Sequence, residues 1–138
     1  MYHILAALTH HSSSISVYRM ARDLAKSLGA NLHLVHVLEP SEDEETELDW
    51  IHNLASSVRM DEHRVHSNVI TSSSAAAGIL HEATRIHADM LVIGRDMEGS
   101  SSRVEAVVAA AHCTVLVVPA DTPKSAAKPE AITMGASA

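Results

Sequence analysis

The segment ADMLVIGRDMEGSSSRVEAVVAAAHCTVLVVP, residues 88–119, leaves few ways to fold. Two short apolar runs, Met90 to Ile93 and Thr114 to Val118, flank a turn and a helix predicted over Ser102 to Ala111. Apart from Thr114 both runs are apolar rather than alternating, which is the pattern of strands covered on both faces. A strand, a helix and a second strand in this order form a parallel pair with a right-handed crossover. The turn adds a second constraint. Gly94 ends the first strand, and Gly99, Ser100, Ser101 and Ser102 then lead into the helix, whose free backbone N–H groups point back toward the strand end. That is the layout of a phosphate site.

The remainder of the chain repeats the unit. Tyr2 to Leu8 is an apolar run closed by Thr9, His10 and His11, and reads as a buried strand. Ser12, Ser13 and Ser14 offer N-cap hydroxyls to a helix over Ser14 to Leu28, in which Val17, Met20, Ala21, Leu24 and Leu28 recur at helical spacing. Gly29 stands where a C-terminal glycine belongs. Asn31 to Leu38 is a second strand, ended by Pro40. The acidic run SEDEETE, residues 41–47, reads as a solvated loop entering a helix whose first turn favours negative charge. Leu48, Ile51, Leu54, Ala55 and Val58 give that helix its stripe, and Val65 to Ile70 is a weaker strand. A third helix follows Ser72, Ser73 and Ser74, with Ala76, Ile79, Leu80 and Ala83 facing inward. The expected fold class is α/β, a doubly wound parallel five-stranded sheet with helices on both faces. Ligands of such sheets bind beyond the carboxyl ends of the strands, where the strand order reverses. The loops at Thr9, Leu38 and Gly94 all lie on that edge.

With 138 residues the chain suffices for one domain that buries roughly two-thirds of its unfolded surface. Residues 1–119 form that domain, and residues 120–138, with charges scattered among Ala, Pro, Thr and Ser, are expected to be a disordered tail. Phe is absent and aromatics make up 2%, so small and aliphatic side chains must fill the core. A net charge of −7 argues against a nucleic-acid groove, because phosphate neutralisation needs a basic surface. Cys113 is alone, which excludes an intrachain disulfide and a multi-cysteine zinc cluster. The start YHILAAL has no basic region or cleavage site of a signal peptide, and no apolar run reaches membrane-spanning length, so a cytoplasmic protein without a membrane partner is expected.

YHILAAL, DLAKSLGANLHLVHVLEP, ILHEATRIHADMLVIG and AAAHCTVLVVP, taken in this order, resemble a universal stress protein domain over residues 1–119. The resemblance implies a regulatory stress-response module, a homodimer formed through the last strand (Thr114, Val115, Leu116, Val117, Val118), and membership of a family divided between ATP- or AMP-binding proteins and others that bind neither. Binding members carry an Asp after the first strand, where this chain has Thr9. A hydroxyl lacks the fixed charge and second oxygen of a carboxylate. They also carry Gly, two residues, Gly, nine residues, then Gly followed by Ser or Thr. Gly94 matches the first glycine, Met97 falls at the second, and Ser101 with Ser102 fall at the final pair over a shortened interval, leaving Gly99 unmatched. A shorter turn supplies fewer N–H groups to phosphate, and Asp96 and Glu98 within it repel an anion. The expectation is weak or absent ATP binding. The alternative is an AMP- or ATP-sensing site built from Thr9, Leu38, Ile93, Gly94, Arg95, Gly99, Ser100, Ser101, Ser102 and Arg103.

Catalytic signatures are scarce. GRDMEGSSSR lacks the lysine of a P-loop, and G-x-S-x-G is absent. Cys113 reads as a core thiol, and a slow nucleotide hydrolase is the weakest of the functional readings. The eleven histidines invite a metal reading, but His33 and His36, three apart on a strand, fall on opposite faces, and His10 and His11 are adjacent. The expectation is therefore dispersed histidines and no metal site.

Overall fold

Nine elements alternate along the chain in the computed structural model, which describes residues 1–10, 13–95 and 101–119. They are β1 (His3–Ala7), α1 (Ser13–Leu28), β2 (Asn31–Val37), α2 (Glu44–Ser56), β3 (Val65–Ile70), α3 (Ala75–Arg85), β4 (Met90–Gly94), α4 (Ser101–Ala110) and β5 (Thr114–Val118). A single 3-10 turn, Glu62–Arg64, precedes β3. The residues 120–138, read as a tail from their composition, lie outside the described residues.

The five strands are all parallel in the order β3-β2-β1-β4-β5. The chain moves outward from β1 to β3, then returns past β1 to β4 and β5. Because each crossover is right-handed, reversing the direction of travel moves the helices to the other face. So α1 and α2 cover one side and α3 and α4 the other. Side-chain alternation along the strands matches this division. Ile4, Ala6, Leu8, Leu32, Leu34 and Val92 meet Val17, Tyr18, Ala21, Ala25 and Ile51 on the first side. Leu5, Val35, Leu91 and Ile93 meet Ile79, Ala83 and Val107 on the second. Buried alanines on the helices let them approach the sheet closely, which is how a core without Phe closes.

Local signals behave largely as their chemistry dictates. Gly29 takes φ +65°, and Ala30 N–H closes α1 on the Ala25 carbonyl. Ser74 caps α3 by accepting from Ala77 N–H. The α1 stripe is shifted from its sequence reading: Tyr18 and Ala25 are buried, whereas Met20 and Leu28 are 41% and 53% exposed. In α2, Leu48 is also exposed, and Trp50 packs toward the core instead. The acidic run departs most from expectation. Asp43 is an N-cap, accepting from Thr46 N–H, and Glu44, Glu45 and Glu47 occupy the first turn of α2. Glu47, however, is only 7% exposed, drawn inward by imidazoles rather than left to water.

The sheet ends differ. β3 carries exposed His66 and Asn68, whereas β5 reads Thr, Val, Leu, Val, Val and leaves Val115 to Val117 half-buried at the open edge. Among the described residues no helix is long and apolar enough to cross a membrane.

Candidate functional site

The strand order reverses between β1 and β4, so the crevice of interest lies where β1, β2 and β4 end. Three backbone bonds continue the sheet past its strands there: Leu8 N–H to Val35 O, Leu38 N–H to Ile70 O, and Arg95 N–H to Val118 O. Thr9 and Leu38 line a cleft of about 240 Å³ with Glu39, Pro40 and the serines that precede α3. Thr9 N–H donates to Ser14 Oγ at 2.6 Å, and the two hydroxyls lie 3.0 Å apart. Ser14 is itself buried at the start of α1. The Thr9 hydroxyl therefore faces the first turn of α1.

Other residues expected in a nucleotide site are distributed unevenly. Ile93 has no exposed surface and belongs to the core beside Leu91 and Val107. Gly94 closes β4 opposite Val118, and Arg95 is exposed just beyond it. Ser101, Ser102 and Arg103 form the first turn of the α4 backbone, while Gly99 and Ser100 lie outside the described residues, as do His11, Asp96, Met97 and Glu98.

On the α1/α2 side of the same edge, four side chains converge that pairwise spacing did not bring together. His10 comes from the end of β1, His36 from β2, Glu42 from the turn before α2, and Glu47 from its first turn. Their ligand atoms all lie within 4.8 Å of one another. His10 Nε2 is 2.5 Å from Glu47 Oε1 and 3.8 Å from Glu42 Oε2. His36 Nε2 is 2.8 Å from Glu42 Oε1 and 3.7 Å from Glu47 Oε1. Trp50 backs the group, its ring 4.1 Å from that of His10 and 5.4 Å from that of His36. The separation of His33 from His36 by strand alternation holds. What it missed is a histidine arriving from another strand, and the usable signal was His36 near a strand end followed by carboxylates opening the next helix.

The second group of histidines lies on the opposite face. His3, His33 and His66 sit side by side across β1, β2 and β3, with His3 Nδ1 and His33 Nε2 3.1 Å apart and the His33 and His66 rings stacked at 4.6 Å. Burial, then neighbouring His66 and His3, pushes His33 down from 6.5 to about 4. Nearby, Glu82 accepts from Arg85 through both oxygens, and that guanidinium holds its carboxyl below the usual range. Burial pushes the Cys113 thiol up, with Asp89 adding to the effect, which disfavours the reactive thiolate.

Comparison with known proteins fits this architecture. The model of the universal stress protein family matches residues 1–119. A search of curated proteins finds no match. Among solved structures, a universal stress protein in complex with cAMP superposes with a TM-score of 0.71 at 15% identity, covering 87% of this chain and 98% of that one. UspA from Lactobacillus plantarum gives 0.71 at 16% identity over 85% and 97%. A universal stress protein from Archaeoglobus fulgidus in complex with dAMP gives 0.66 at 18% identity over 86% and 97%.

Proposed function

Because the chain belongs to the universal stress protein family, we propose that it is a non-enzymatic regulatory module of the stress response, acting through protein contacts, with a nucleotide site too reduced to hold ATP firmly. The observation that carries this reading is the Thr9 and Ser14 pair. At the position where the resemblance puts a ligand-holding Asp, this chain has a residue whose amide and hydroxyl both meet Ser14. A neutral hydroxyl so engaged is a poorer anchor for ribose than a carboxylate. The short connection from Gly94 to Ser101 supports the same conclusion, since few backbone N–H groups are left to wrap a triphosphate.

The relatives in complex with cAMP and dAMP favour a second reading, in which this chain senses AMP or ATP through the Gly94 to Ser102 turn. Thermal denaturation in millimolar ATP or AMP separates the two. The expected result is an unchanged midpoint with either ligand. A saturable rise, reaching about 2.7 kcal/mol of added stability at a hundred times Kd, would establish the second reading. No phosphate release from ATP is expected in either case, and neither reading makes the chain an enzyme.

The homodimer is proposed to form along β5. An edge strand with three half-buried aliphatic residues is a ready template for pairing with another strand. Light scattering at micromolar concentration should give twice the chain mass, and Val117→Lys should return the protein to a monomer with its circular dichroism unchanged. A wild-type protein that scatters as a monomer would remove this interface from the proposal.

A further inference from the structure

We propose that His10, His36, Glu42 and Glu47 form a site for one divalent transition-metal ion of the zinc class, which ties the ends of β1 and β2 to the start of α2. The inference is independent of whether a nucleotide binds. It starts from His36, whose side chain is 3% exposed. Its Nδ1 lies 2.8 Å from the Leu8 carbonyl, which can only accept, so Nδ1 carries a hydrogen and donates it. Nε2 then faces Glu42 Oε1 at 2.8 Å, and in the neutral ring it offers that side a lone pair. A 2.8 Å approach of this kind is bridged either by a proton on Nε2 or by a metal ion beside the pair, and the convergence of His10 and Glu47 on the same point favours the ion. A backbone carbonyl holding one nitrogen while the other faces a ligand set is also the usual support of a metal-bound histidine.

The other members are placed with similar care. Glu42 Oε1 also accepts from Glu39 N–H at 2.9 Å, which fixes the carboxylate against the ring. Glu47 is held in the first turn of α2 and is almost fully buried, a costly position for a carboxylate without a cation. A dication with two neutral imidazoles and two carboxylates leaves no net charge. Metal–ligand bonds of about 2.1 Å in a tetrahedron put ligand atoms roughly 3.4 Å apart. The four cross pairs here, at 2.5, 2.8, 3.7 and 3.8 Å, straddle that spacing, so small side-chain rotations suffice. Two imidazoles with two carboxylates suit zinc and its neighbours in the first transition row better than magnesium or calcium, which prefer oxygen alone. Trp50 shields one side, and His10, 47% exposed, provides the way in. With four protein ligands, the ion has a structural role.

The test is titration of the full chain, stripped of metal with chelator and dialysed, with Zn²⁺ by calorimetry and with Co²⁺ by visible absorption. One tight equivalent is expected, with a tetrahedral cobalt spectrum. His10→Ala alters a half-exposed side chain and Glu47→Gln keeps its shape, so both should fold, as circular dichroism will verify. Each should weaken binding more than about 100-fold. His33→Ala, which removes a histidine from the opposite face, should bind as the wild type does. The proposal is overturned if the wild type takes up no stoichiometric Zn²⁺, if His10→Ala and Glu47→Gln bind with wild-type affinity, or if His33→Ala loses the site.

Discussion

Replacing Leu91 with alanine is expected to lower the free energy of unfolding by about 3 kcal/mol. Leu91 is 0% exposed in β4, paired in register with Leu5 on one side and Val115 on the other. It fills the α3/α4 side of the sheet together with Leu5, Ile79, Ile93 and Val107. The loss has two parts, the hydrophobic transfer of the removed carbons and the cavity they leave. The second part should be large here. The helices above are built from residues as small as Ala83, and a short side chain cannot swing into the space. Domains of this size are stable by about 5–15 kcal/mol, so one such change removes a sizeable share. Urea unfolding at neutral pH is the measurement, with Ile15→Ala, at a position 49% exposed, as the control expected to stay within about 0.5 kcal/mol. A midpoint shift for Leu91→Ala no larger than that of the control would contradict the core described above.

The second expected result is a pH dependence traceable to His33. In the folded protein its ring is pushed from 6.5 to about 4, first by burial and then by the adjoining His66 and His3, with Glu82 opposing and Arg85 assisting. Between these values the unfolded chain binds a proton that the folded chain refuses, so stability rises with pH. This contribution is complete above about 6.5 and disappears as pH falls toward 4. Undiminished, the drop corresponds to about 3 kcal/mol. The site is only partly buried, and screening reduces that to about 1–2 kcal/mol. Glu82 adds an acid limb of its own. Held down by Arg85, it contributes above the ordinary carboxylate range and is lost as pH passes below it. Urea midpoints between pH 7 and pH 4.5 should therefore fall more steeply for the wild type than for His33→Gln. Parallel profiles for the two proteins would show that the histidine array carries no such linkage.

The order of the elements was legible because two periods suffice to read it. Largely apolar runs such as LHLVHVL and MLVIG, separated by helical stripes, define strands covered on both sides, and Gly29 and Ser74 mark helix boundaries through their backbone chemistry. Which members of a stripe are buried was less legible. Met20, Leu28 and Leu48 have the right spacing but lie outside the covered arc, whose width depends on how each helix sits on the sheet. The position of Thr9 just beyond the first strand was legible, but its pairing with Ser14 was not, because a hydroxyl has many local partners to choose from.

The histidines mark the boundary most clearly. Alternation along β2 was enough to send His33 and His36 to opposite faces, since a strand's period is a property of its own backbone. Their neighbours were beyond that reasoning. His33 meets His3 and His66 because parallel register sets Leu5 and His66 beside it, and His36 meets His10, Glu42 and Glu47 because the ends of β1 and β2 and the start of α2 share one sheet edge. Sequence by itself therefore determined the strand and helix order and the parallel sheet. Only the tertiary structure decided that an acidic run read as solvated would carry Glu47 inward to two imidazoles, because that depends on strand order and register, which bring together side chains far apart along the chain.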